Sequence, residues 1–149
     1  PRSTLFPYTT LFRSLGIDVG SVRIGVAVCD PDRILATPVE TVTRTPGGSA
    51  DVDRITALTG EYEAVAVVIG MPRTLRNTAG PAADAARSFG TAIAESIAPV
   101  PVEYFDERFT TVTAQQALRA SGRSVKSSRG VIDQAAAVAI LQGWLDAGR

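Results

Sequence analysis

From residue 15 onward the apolar positions fall into short blocks whose spacing changes along the chain. Leu15-Gly16-Ile17-Asp18-Val19 is an apolar run interrupted by one acid, and Gly20-Ser21 follows as a turn. Arg23 to Cys29 (RIGVAVC) alternates and is rich in β-branched residues, the pattern of a strand. Ile34 to Val42 reads as a third strand, so the first three predict an antiparallel meander. Pro46-Gly47-Gly48 marks a loop. Val52, Ile55, Leu58 and Tyr62 then recur at helical spacing and predict a helix over 51–62. Ala64 to Ile69 (AVAVVI) is continuously apolar, as a parallel strand covered on both faces must be. Gly70-Met71-Pro72 ends that run, and a polar loop leads to Pro81, which suits the first turn of a helix. Ala82, Ala86, Phe89, Ile93 and Ile97 form that helix's apolar stripe. Val102 to Phe105 is a short strand followed at once by Asp106-Glu107-Arg108. Thr110 or Thr111 can cap a helix through about residue 121, and Ser127 or Ser128 can cap a last one over Arg129 to Asp146.

The order is therefore β-β-β-α-β-α-β-α-α. It predicts an α/β domain with a mixed five-stranded sheet, three antiparallel strands first, and helices on both faces. That is the element order of the ribonuclease H-like fold. Residues 15–149 are read as this one domain. Residues 1–14, PRSTLFPYTTLFRS, fit neither the fold nor a signal peptide; they look like a translated sequencing adapter and are read as non-native.

Composition narrows the chemistry. The 149 residues include no histidine, which removes imidazole general bases, histidine triads and histidine-ligated zinc. The single cysteine, Cys29, cannot form an intramolecular disulfide or a cysteine zinc cluster. What remains is carboxylates, hydroxyls, guanidinium groups and one lysine. Three carboxylates sit in apolar surroundings: Asp18 inside the first strand, Glu107 just after the strand VEYF, and Asp133 in the last helix between Val131-Ile132 and QAAAVAIL. Each has a bland explanation. Asp18 can cap its turn, Glu107 can belong to an exposed charge cluster, and Asp133 can pair with an arginine on a neighbouring helix. Together, in a chain without histidine, they form a candidate ligand set. Oxygen donors of this kind suit Mg²⁺ or Mn²⁺, and two such ions ~4 Å apart can drive phosphodiester cleavage.

Four motifs carry a resemblance. Asp18-Val19-Gly20-Ser21 with Arg23-Ile24-Gly25-Val26-Ala27, then Gly70-Met71-Pro72, then Asp106-Glu107-Arg108 with Thr110-Thr111, then Val131-Ile132-Asp133-Gln134-Ala135-Ala136-Ala137 resemble the YqgF (RuvX) family. The resemblance runs from Leu15 to about Leu145. It implies a ribonuclease H-like protein related to Holliday junction resolvases and a nuclease acting on pre-16S rRNA. It also implies that Asp18, Glu107 and Asp133 are its catalytic and metal-binding acids.

Net charge is zero, with 15 basic and 15 acidic residues, so bulk charge draws no polyanion. The bases are nevertheless clustered. Arg108, Arg119, Arg123, Lys126 and Arg129 precede Ile132 with no acid among them, and Arg73 and Arg76 lie in the loop after the central strand. These seven are the candidate nucleic-acid contacts, able to neutralise phosphates. Pre-rRNA is the expected partner. Branched DNA cut by a homodimer and a non-catalytic nucleic-acid-binding role are the alternatives, and a sugar kinase is disfavoured because it needs two such domains. No membrane segment is evident, and the expected location is the cytoplasm.

Overall fold

The computed structural model describes residues 13–72, 80–107 and 129–148, the first three residues of the last segment by backbone alone. Eight elements alternate in the expected order: β1 (Ser14–Val19), β2 (Arg23–Cys29), β3 (Ala36–Thr43), α1 (Ala50–Glu61), β4 (Ala66–Met71), α2 (Pro81–Ile97), β5 (Val102–Asp106) and α3 (Arg129–Ala147). The helix expected after Thr110 falls outside the described residues.

The five strands form one sheet in the order β3-β2-β1-β4-β5. β1 pairs antiparallel with β2, and β2 with β3. β1 pairs in parallel with β4, and β4 with β5. The first strand is thus central. β4 is buried along its whole length, which is why its sequence shows no polar alternation.

Strand alternation divides the side chains between two cores. Leu15, Ile17, Ile24, Val26, Val67 and Ile69 pack against Ile55, Leu58, Ala86, Phe89 and Ile93 of α1 and α2. On the opposite face Ala27, Cys29 and Val68 pack against Ala137, Ile140, Leu141 and Leu145 of α3. Helices therefore cover both faces.

Several boundaries differ from the expectation: β4 begins at Ala66 rather than Ala64, and two other differences have a visible cause. β3 begins at Ala36 rather than Ile34. Asp30 holds the preceding turn by accepting the amides of Ile34 and Leu35 at 2.7 and 2.8 Å on one carboxylate oxygen. Both side chains stay outside, 57% and 58% exposed; the local side-chain bond outcompetes the ladder. β4 runs on through Gly70 and Met71, which pair with Phe105 and Asp106. Gly70 is therefore not a turn residue. It belongs to a set of strand glycines beneath α3, where a Cβ has no room.

Candidate active site

That glycine set places the acids. Gly16 and Asp18 are the β1 residues facing α3. A Cβ on Gly16 would lie 2.6 Å from Leu141 Cβ and 2.9 Å from the Ala137 carbonyl oxygen. Asp18 is paired with Gly25 of β2. A Cβ there would fall on the carbonyl of Asp133 itself. The missing side chain lets α3 descend until the backbone of Asp133 rests on β2, one strand spacing of ~5 Å from Asp18. In β4, a Cβ on Gly70 would collide with Ile140 and stand 2.7 Å from Glu107 Oε1. Glu107 follows directly on β5, and its carboxyl fills the space that Gly70 leaves.

The three acids meet unequally. Asp18 and Glu107 are hydrogen-bonded to one another, and the charge of Asp133 is felt at Asp18. Burial pushes Glu107 up to about 8, helped by its bond to Asp18 and by the charges of Asp18 and Asp106. Asp18 is also raised, chiefly by burial and further by Asp133, with the bond from Glu107 acting against this. Glu107 is therefore the protonated partner, donating to the Asp18 carboxylate.

Asp133 is turned elsewhere. Arg23, the first residue of β2, places Nε 2.8 Å from Asp133 Oδ2. Among the described residues, no group of three His, Cys, Asp or Glu side chains lies closely enough together to hold an ion as placed. Neighbouring carboxylates disfavour one another's ionisation; Asp18 and Glu107 meet in a hydrogen bond, and Asp133 takes an arginine as its counter-charge.

Of the seven expected nucleic-acid contacts, Arg73, Arg76, Arg108, Arg119, Arg123 and Lys126 lie outside the described residues. Arg129 opens α3, and its side chain is not described. A groove of about 660 Å³ bordered by Arg33, Ile34, Phe105 and Trp144 touches none of the three acids.

Two arginines with defined roles at the site carried no distinctive sequence signal. Arg23 is one; its only cue is a base at the first strand position after an acid-containing turn. Arg44, just beyond β3, is the other. It donates from Nη1 to the Gly20 carbonyl at 3.0 Å and from Nε to Asp51 Oδ2 at 3.2 Å, and its guanidinium lies 5.2 Å above the Phe89 ring. Its own amide donates to the Val22 carbonyl at 2.8 Å. Asp51, only 4% exposed, also accepts the amides of Thr45 and Val52. Arg44 thus ties the turn that follows Asp18 to both helices of the opposite face.

Among solved structures, the fold is similar to Thermus thermophilus RuvC in complex with a Holliday junction substrate. The TM-score is 0.59 at 19% identity, covering 92% of this chain and 95% of that one. RuvC from the same organism in a second structure gives a TM-score of 0.53 at 20% identity, over 92% and 96% of the chains. These likenesses establish the ribonuclease H-like fold. Sequence relatives are far nearer. Proteins named "Putative pre-16S rRNA nuclease" from Rhodococcus opacus and Rhodococcus jostii are 58% and 59% identical over 137 residues, covering 90% of this chain and 77% of each relative. One of the same name from Mycobacterium ulcerans is 54% identical over 145 residues, covering 97% and 85%. The family model for RuvX, described as Holliday junction resolvase, matches residues 12–147. With that match spanning nearly the whole chain and relatives more than half identical along it, the chain belongs to the RuvX family.

Proposed function

We propose that the chain is a metal-dependent nuclease that processes the 5′ end of pre-16S rRNA in the cytoplasm, with Asp18, Glu107 and Asp133 as its catalytic, metal-binding acids. One observation carries this reading: the half-buried Asp18 and Glu107 are hydrogen-bonded to one another, with Asp133 close enough for its charge to reach Asp18. Carboxylates drawn together and partly out of water without a counter-charge are costly, and structure alone gives them no purpose.

The donor set fits a divalent cation. All three groups offer carboxylate oxygens, which suit Mg²⁺ or Mn²⁺, and a divalent charge would replace the shared proton. When bound, such ions activate water and stabilise the leaving oxygen of a phosphodiester. The chain's own residues do the rest. Asp18 is fixed by β1 and by the Arg44-held turn, Glu107 is seated over Gly70, and Asp133 is carried on α3 where Gly25 admits it. Arg73, Arg76, Arg108, Arg119, Arg123, Lys126 and Arg129 are assigned to the phosphate backbone, which makes binding salt-dependent. The relatives' names support rRNA as the substrate.

A second reading is cleavage of branched DNA. The description of the family model favours it, as does the RuvC neighbour bound to a Holliday junction. It requires two symmetric cuts and hence a homodimer. The test compares cleavage of a 5′-extended 16S precursor and of a four-way DNA junction with Mg²⁺ or Mn²⁺. Asp18→Asn, Glu107→Gln and Asp133→Asn should each abolish cleavage while leaving the protein folded. Persistent cleavage in all three would remove the site assignment, and cleavage of the junction alone would favour the second reading.

A further inference from the structure

We propose that Arg23 is a positioning residue that serves as the internal counter-ion of Asp133, and that loading of the site exchanges this guanidinium for a divalent cation. The inference rests on the metal-dependent reading above and adds what compensates the charge of Asp133 at that site.

The argument starts from the sheet. Arg23 and Gly25 are both residues of β2 that face α3. Gly25 brings the Asp133 backbone onto the strand, and Arg23, two residues away on the same face, is left within reach of the Asp133 carboxylate. The ion pair joins residues 110 positions apart, so it is a product of tertiary packing and not of local sequence.

Charge explains why a base is needed there. Asp18 and Glu107 are hydrogen-bonded to one another and so are each other's partners. Asp133 has no such partner among them, yet its charge reaches Asp18. The Arg23 guanidinium offsets that charge at 2.8 Å.

Exposure explains why the contact can be given up. The Arg23 side chain is 37% exposed and that of Asp133 20%. The guanidinium can therefore turn toward solvent without burying an unpaired charge. A fully buried pair would hold far more tightly. The contact also runs through Nε at one carboxylate oxygen, rather than through the two-pronged fork that makes arginine–carboxylate pairs strongest.

The test is Mn²⁺ titration of the full chain at low ionic strength, reading free Mn²⁺ by electron paramagnetic resonance, without nucleic acid. Four proteins are compared: wild type, Arg23→Gln, Asp133→Asn and the double variant. Arg23→Gln should bind Mn²⁺ roughly three- to tenfold more tightly than wild type, the range for a part-exposed charged contact. In the Asp133→Asn background the same change should give no gain. Unchanged or weaker Mn²⁺ binding by Arg23→Gln overturns the proposal, and so does an equal gain in both backgrounds, which would mean a bulk charge effect. Failure of the wild type to bind Mn²⁺ at all overturns the metal-dependent reading and this inference with it. Thermal melts check that each variant is folded. If Arg23→Gln is not, Arg23→Lys must still bind Mn²⁺ about twofold more tightly than wild type, because an ammonium does not reproduce the planar Nε contact.

Discussion

Substituting Gly25 by alanine adds one methyl group beneath α3. That methyl would occupy the position of the Asp133 carbonyl and stand 3.0 Å from the Gln134 amide nitrogen. Every obstructing atom is backbone, so no side chain can turn away. The start of α3 must lift by about 1 Å or more to restore ordinary contact distances near 3.5–4 Å. Overpacking of this kind typically costs 1–3 kcal/mol, and the rigid obstacle puts Gly25→Ala at the upper end, about 3 kcal/mol. The lower chain entropy of alanine in the unfolded state offsets only ~0.4–1 kcal/mol of that. A net loss of about 2–2.6 kcal/mol is a large share of the ~5–15 kcal/mol typical of a domain, and corresponds to a melting point roughly 10 °C lower. Gly70→Ala is the matched control. Its methyl meets Ile140 Cγ1 at 2.9 Å and Glu107 Oε1 at 2.7 Å. Those are movable side-chain atoms, so stability should fall by only about 1 kcal/mol. Glu107 must nevertheless leave its seat, and cleavage should drop at least tenfold. Urea unfolding monitored by circular dichroism, beside the precursor cleavage assay, separates the two effects. The reasoning fails if Gly25→Ala unfolds at the wild-type midpoint, or if Gly70→Ala proves the more destabilising of the pair.

Arg44→Met should cost about 2–3 kcal/mol in urea unfolding, since it leaves the nearly buried Asp51 without its cation and the Gly20 carbonyl without its donor; Arg44→Met with Asp51→Asn should cost less than the sum of the two single changes. In chelator, stability should fall as pH rises from about 4.5 to about 8. The native state raises Glu107 above its ordinary value, so it holds a proton there that the unfolded chain has released, and the raised Asp18 acts in the same direction. Glu107→Gln should flatten that slope, and melting curves at pH 5 and pH 8 decide it. Asp18→Asn should raise the metal-free melting temperature while abolishing cleavage, because it removes a desolvated acid that only function requires.

The architecture was legible because apolar spacing reports burial directly. β4 reads as a double-covered strand since it has neighbours on both edges and helices on both faces, and no polar side chain can enter it. Two of the boundaries that slipped are places where local chemistry or a neighbouring element overrode the apolar pattern. Ile34 and Leu35 look like strand, but Asp30 binds their amides and holds them in the turn. Gly70 looks like punctuation, but it stays in the ladder because Glu107 and Ile140 need its empty face. A glycine that ends a strand and one that admits a neighbour are the same letter, and only the opposing element distinguishes them.

The site follows the same division. Acids stranded in apolar stretches were visible one by one, because an apolar context around a carboxylate demands an explanation wherever it occurs. Their mutual arrangement was not visible, because it is set by Gly16, Gly25 and Gly70 acting across three strands on one helix. Nor was the counter-charge. Arg23 and Asp133 lie 110 residues apart, and nothing in either neighbourhood marks them as partners. The glycines and the arginine address one difficulty from two sides. The glycines bring α3 close enough to place a third carboxylate beside a hydrogen-bonded pair of acids, and Arg23 compensates that third charge.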